Sequence, residues 1–336
     1  MEIVLGLVII AIGAFCQSSS YVPINKIKKW SWESYWLVQG IFAWLVFPLL
    51  GALLAVPGGH SLFEIYASSP KATLLTMFFG VLWGIGGLTF GLSMRYLGVA
   101  LGQSIALGTC AGLGTILTPV FTGKTGDLTA PVIVGVVVTL IGIAIIGIAG
   151  SMKSRSVSEE DKKSAVKDFN FGKGIAVALL AGFMSACFGI GLGFGENLCW
   201  EETPGIFKSL PATFAVTFGG FLTNAVYCLW QNNKNKSFAD YRNKSLWKHN
   251  LLFCALAGFL WYSQFFGLSL GKGFLAESAV LLAFSWCILQ SLNVVFSNVW
   301  GIILNEWKGC SKKTIIVLVI GLAVLVLSSF LPELLK

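Results

Sequence analysis

Along residues 286–297 the chain places Trp286, Gln290, Asn293 and Ser297 at steps of four, three and four inside an otherwise apolar run. That spacing puts one indole, two amides and a hydroxyl on a single face of a helix. A second face combines Trp261 with Gln264, and Gln17, Trp83, Gln103, Ser104 and Asn224 are further polar or aromatic exceptions within apolar segments. Amides pair with hydroxyls, and indole faces cover C–H surfaces, so this set suits a sugar or another neutral, polyol-like solute. The competing reading of each amide is an interhelical clasp, a contact worth about 0.6 kcal/mol on average.

Proton chemistry needs an acid or histidine whose environment changes. Of the 15 acids, Glu196 and Glu277 are the two placed within the expected limits of apolar segments, and they are the candidate proton-coupling residues. Each has a plainer role open to it: Glu196 with Glu201 and Glu202 forms a solvated loop, and Glu277 pairs with Lys272. No cluster of paired acids, or of His with a carboxylate at catalytic spacing, is visible near the membrane, and no Walker-type phosphate loop occurs, so neither an enzyme nor an ATPase is expected. No cofactor, metal or nucleic acid is implied.

The elements that must position these groups follow from composition. Of 336 residues, 56% are apolar and 11% charged, too few polar residues to wrap a soluble protein of this length. Apolar runs of about 20 residues match the roughly 30 Å hydrocarbon core of a bilayer. Hydropathy predicts ten spans, at 3–22, 34–56, 72–92, 97–119, 130–150, 173–196, 210–230, 249–269, 274–302 and 314–332. Six of the eight cysteines lie inside these runs without a C-x-x-C pair and read as small core residues. The first run lacks a basic leader and a cleavage site and reads as a retained helix.

Eighteen of the 23 Lys and Arg residues fall in connectors on one side, those after the odd-numbered spans. The positive-inside rule therefore predicts a cytoplasmic linker and both termini on the periplasmic face of a bacterial inner membrane. The hydrophilic stretch 151–172 divides a first five-helix repeat, 1–150, from a second, 173–336. Because five is odd, the repeats must be inverted, an arrangement common in secondary transporters. Trp83 followed by Phe90-Gly91-Leu92-Ser93 recurs as Trp261 followed by Phe266-Gly267-Leu268-Ser269, in corresponding spans. Fold class is thus an all-α polytopic membrane protein of ten transmembrane helices in two inverted five-helix repeats. Gly189, Gly191, Gly193 and Gly195 in the sixth span, and Ser18 to Ser20 with Pro23 in the first, predict weakened helices at corresponding positions. Close packing through small residues is the other use of those glycines.

Several strings together resemble the bacterial L-rhamnose/proton symporter family: KIKKWSWESYW from Lys26 to Trp36, WGIGGLTFGLSMRYLG from Trp83 to Gly98, Gly114-Thr115 with Thr118-Pro119, LWYSQFF from Leu260 to Phe266, Ser285-Trp286, and LNEW from Leu304 to Trp307. The similarity runs through both halves. It implies a member of the drug/metabolite transporter superfamily that imports L-rhamnose with protons across the inner membrane; a permease for another sugar or small neutral metabolite, sodium-coupled or not, is the alternative. A membrane-bound sensor or assembly partner is disfavoured because no soluble output domain is present.

Overall fold

The computed structural model describes residues 2–156, 169–242 and 244–336. The part of the expected linker at 157–168 lies outside the described residues. Within them the chain is helical, and ten helices are long and apolar enough to cross a membrane. We number these α1 (Glu2–Ile24), α2 (Trp32–Leu53), α3 (Pro70–Leu97), α4 (Leu101–Thr122), α5 (Ala130–Lys153), α6 (Phe171–Phe194), α7 (Gly205–Asn235), α8 (Lys244–Phe274), α9 (Ala279–Ile303) and α10 (Lys312–Leu334). The helices outrun the hydropathy windows wherever polar residues continue the backbone ladder, most clearly in α3, α7 and α8. Others fall short at one end, α2 at Leu53, α4 at Leu101 and α6 at Phe194, and α9 starts five residues later than expected because Ser278 caps it, accepting from the Leu281 amide at 3.3 Å.

Two helices are irregular, and each irregularity has a local cause. In α1 the α-helical ladder is interrupted at Ser20, just ahead of Pro23, which cannot donate a backbone hydrogen bond. In α2 a π-helical stretch, Ile41–Val46, precedes Pro48, and the Phe47 amide reaches back five residues to the Phe42 carbonyl. Such a bulge re-aims side chains. Here Trp44 turns inward and is 3% exposed, and its ring packs so close to Gly40 that a Cβ there would sit 2.4 Å away. The sixth span departs from expectation: α6 runs unbroken through Phe194, and its glycines serve packing. Gly189 and Gly193 face Trp286, Thr118 and Thr122, while Gly191 and Gly195 face α3 and α7.

Close approach decides the crossing of α3 and α7. A Cβ on Gly80 would lie 2.2 Å from the Val216 carbonyl oxygen, and one on Gly219 would lie 2.1 Å from that of Met77. Only glycine permits those backbones to touch. Elsewhere α6 packs on α3 and α4, α1 on α8 and α9, α2 on α7 and α8, α4 on α9, and α5 on α10. The two largest fully buried side chains, Phe188 and Phe284, stand in the core shared by these helices, while long apolar faces of α1, α5 and α10 remain exposed. Such faces suit lipid contact.

Candidate functional site

A cavity of about 70 Å³ lies where α1, α2, α3, α4, α6, α8 and α9 converge. Six of the residues singled out from the sequence line it: Gln17, Trp83, Trp261, Gln264, Trp286 and Gln290. The Trp83 and Trp261 rings, one from each of the two repeated FGLS-bearing helices, stand 5.6 Å apart at 33°. Trp44 meets both edge-on, at 6.0 and 6.1 Å. On another wall Phe188 stacks on Phe265 at 4.2 Å and on Trp286 at 5.8 Å. The result is a cage of π faces with amide groups between them.

The other three predicted residues are buried beside the cavity and do not line it. Asn293 is fully buried, and its amide nitrogen donates to Gln264 Oε1 at 3.0 Å and to Gln290 Oε1 at 3.1 Å. It fixes the orientation of both cavity amides. Asn224 accepts from Trp36 Nε1 at 2.9 Å and donates to the Gly220 and Gly84 carbonyls, so it aims a cavity tryptophan and ties α7 to α3. Gln103 accepts from Ser297, which also bonds the Asn293 carbonyl at 2.6 Å. Ser104 accepts from Asn298 at 2.7 Å. For these residues the interhelical clasp is the better description. A helix stripe faces the cavity only over its first turns, because α1, α4 and α8 close over the rest.

The sequence reading missed the contribution of α2. Trp36, Gln39 and Trp44 all line the cavity, and Gln39 Oε1 and Trp44 Nε1 are buried without a hydrogen-bond partner. Gln39 is the one amide within the expected second span, the signal that could have found it. The inward turn of Trp44 depends on the π stretch and is not encoded in any simple periodicity.

A larger cavity, about 680 Å³, opens beyond Trp286, which lines both. Its lining includes Lys124, Asp127 and Glu196 from the connectors after α4 and α6, Lys208 from the start of α7, and Lys272 from the end of α8. These elements lie on the side of the molecule that bears both termini. We refer to this space as the vestibule. Glu196 forms an ion pair with Lys124 there and is 58% exposed. Glu277 is exposed in the turn between α8 and α9 and lines neither cavity. Lys272 lines the vestibule together with Glu196 and Lys124. Both acids therefore lie outside the helices, whereas Glu33 and Glu306, set aside with the basic connectors, are 5% and 7% exposed.

On the linker side the molecule is clasped. Glu33 Oε1, at the start of α2, accepts from Ser237 Oγ at 2.6 Å and Asn235 Nδ2 at 2.9 Å. Ser34 donates to Asn232 Oδ1 at 3.0 Å, and Asn250 exchanges two hydrogen bonds with the Lys28 backbone. Burial pushes the Asp240 carboxyl up, but hydrogen bonds from the Ser31 hydroxyl and amide outweigh it and hold the group below the usual carboxylate range. Charge at Asp240 thus strengthens the clasp at neutral pH. Every one of these contacts joins the α1–α2 region to the α7–α8 region.

The geometry is that of a cage of π faces and amides, clasped on one side and vestibuled on the other. Residues 1–334 match the family model described as L-rhamnose-proton symport protein (RhaT). The chain is 33% identical over 341 residues to proteins named L-rhamnose-proton symporter from Yersinia pestis (strain Pestoides F) and from Yersinia pseudotuberculosis serotype O:1b (strain IP 31758). Each alignment covers 97% of this chain and 96% of the relative. A family match spanning nearly the whole sequence, together with relatives of that identity and coverage, places this chain in the L-rhamnose-proton symport protein family.

Proposed function

We propose that this chain imports L-rhamnose, or a closely related sugar, by proton symport across a bacterial inner membrane, with the termini periplasmic and the linker cytoplasmic. The observation that carries the reading is the cage itself, in which Trp83, Trp261 and Trp286 present π faces while Gln17, Gln264 and Gln290 supply amides. No Lys, Arg, Asp or Glu is among its lining residues, so nothing there answers a carboxylate or phosphate. At about 70 Å³ it is smaller than the roughly 300–1,000 Å³ of small-molecule pockets, so sugar entry requires the surrounding helices to separate. Alternating access supplies that motion: the clasp opens as the vestibule closes.

The proposed architecture behind that motion is a pair of inverted five-helix repeats. Exchanging each helix for the one five places along converts the α3–α6 contact into α8–α1, α4–α6 into α9–α1, and α3–α7 into α8–α2, and returns α4–α9, α5–α10 and α2–α7 to themselves. Parity then requires inversion. The orientation has a direct check: a single Cys placed in the linker of an otherwise Cys-free chain should resist a membrane-impermeant thiol reagent in intact cells. Rapid labelling there, with protection of a Cys at position 336, means the molecule sits the other way up.

Sugar binding is tested by truncating amides. Gln290→Ala and Gln264→Ala should each weaken L-rhamnose binding about two- to twelvefold, the value of one neutral hydrogen bond of roughly 0.5–1.5 kcal/mol, with little change in melting temperature. Asn293→Ala should weaken binding and stability together, because it frees two buried amides at once. Unchanged affinity in both glutamine variants would remove the cage as the binding site.

A further inference from the structure

The vestibule carries more than a way in. Three observations converge on its floor, beyond anything the central cage requires.

The first is an aromatic platform. Trp286 separates the two cavities, with its indole seated against Gly114 and Gly189, stacked on Phe188 at 14°, and held by a hydrogen bond from Nε1 to the Cys110 carbonyl at 3.3 Å. A rigidly held indole is the surface against which the C–H face of a pyranose packs.

The second is a pair of unspent hydroxyls. Thr115 and Thr118 lie three residues apart on α4, so they share a face, and both line the vestibule. Threonines within helices commonly return their hydroxyl to the carbonyl four residues back. Thr122, on the next turn, does so at 2.8 Å. Among the described residues Thr115 Oγ1 and Thr118 Oγ1 are instead buried with no hydrogen-bond partner, and Thr115 is only 3% exposed. The Cys287 thiol donates to Thr139 Oγ1 at 3.4 Å and also lies beside Thr115 and Ser291. A buried hydroxyl without a partner costs about 1–3 kcal/mol, so such a pair is retained most readily where a ligand completes it.

The third is size and charge. At about 680 Å³ the vestibule falls within the range of small-molecule sites, where the central cage does not. Its charges are three lysines against Asp127 and Glu196, and one lysine is already paired with Glu196.

We propose that the vestibule floor is a second sugar-binding site, in which a neutral pyranose rests on the outer face of Trp286 and hydrogen-bonds to Thr115 and Thr118 before passing to the central cage. The proposal rests on the sugar-transport reading above. It assigns Trp286 to both sites and makes the two threonines residues of the entry site alone.

The test is equilibrium binding of radiolabelled L-rhamnose to the full chain in lipid nanodiscs, read as sugars bound per chain at saturation. The wild type should bind two. The Thr115→Val/Thr118→Val double variant removes the hydroxyls at nearly constant volume and should bind one. Gln264→Ala/Gln290→Ala should retain only the site that the threonine variant loses. A single wild-type site that is lost with the glutamines and indifferent to the threonines overturns the proposal while leaving the transport reading intact. No L-rhamnose binding at all overturns both. Should the double valine variant fail to fold, Thr118→Cys in the Gln264→Ala/Gln290→Ala background gives an independent readout. Saturating L-rhamnose is expected to slow its modification by a small thiol reagent at least several-fold, and an unchanged rate contradicts the second site.

Discussion

Glu196→Gln is expected to abolish uphill accumulation of L-rhamnose driven by a pH gradient while preserving counterflow, in which labelled sugar exchanges across the membrane without net proton movement. Among the described residues, the lining of the central cage includes no Asp, Glu or His to carry a proton. The coupling acid must then stand elsewhere along the route. Of the two carboxylates that line the vestibule, Asp127 and Glu196, Glu196 is the one ion-paired with Lys124, and it is half-exposed. A carboxylate withdrawn from water favours its neutral form, so closure of the vestibule gives this side chain a reason to bind a proton in one state and release it in the other. Glu277→Gln should leave accumulation intact, because Glu277 is exposed in a turn and borders neither cavity. If the Glu196 variant still concentrates sugar on a proton gradient alone, the vestibule acid is not the carrier. Glu33, buried in the linker-side clasp, is then the next carboxylate to replace.

Gly114→Ala should reduce transport by roughly five- to 150-fold. A Cβ at this position would lie 2.4 Å from Trp286 Nε1 and 2.9 Å from Cδ1, and Phe188, stacked on the indole, opposes its retreat on the cage side. Overpacking of this kind costs about 1–3 kcal/mol, and every 1.4 kcal/mol is a tenfold change. The displaced ring would disturb both cavities it lines. A steric cause makes a further demand: Trp286→Phe, which shortens the ring, should recover part of the loss in the Gly114→Ala background. Strictly additive effects of the two substitutions would mean that Gly114 acts on something other than Trp286.

Much of this molecule is legible in its residues, and the rest is hidden for physical reasons. Ten spans follow from apolar run length, since a bilayer demands length and little else. The cage tryptophans and glutamines Gln17, Trp83, Trp261, Gln264, Trp286 and Gln290 could be found because polar and indole groups are conspicuous against aliphatic surroundings. Spacing could not tell a lining amide from one behind the wall: Gln290 and Asn293 occupy one stripe, and only packing by α8 decides that Asn293 serves its neighbours. Trp44 escaped because a π stretch ahead of Pro48 rotates it inward. The glycines of α6 suggested a break, yet the helix is continuous and they make room for Thr118, Trp286 and α7. The span limits of the acids were misplaced in both directions, since hydropathy windows carried α6 on to Glu196, began α9 ahead of Glu277, and left Glu33 outside α2, which begins at Trp32.

The central claim is proton-driven transport of L-rhamnose, and purified protein reconstituted into liposomes tests it most directly. Uptake of radiolabelled L-rhamnose should rise above equilibrium when the proton gradient is directed into the lumen, collapse with a protonophore, and be competed by 6-deoxy and other pyranose relatives but not by amino acids or nucleotide sugars. Accumulation that ignores the pH gradient and follows sodium, or uptake blocked by an anionic solute in place of L-rhamnose, contradicts the account.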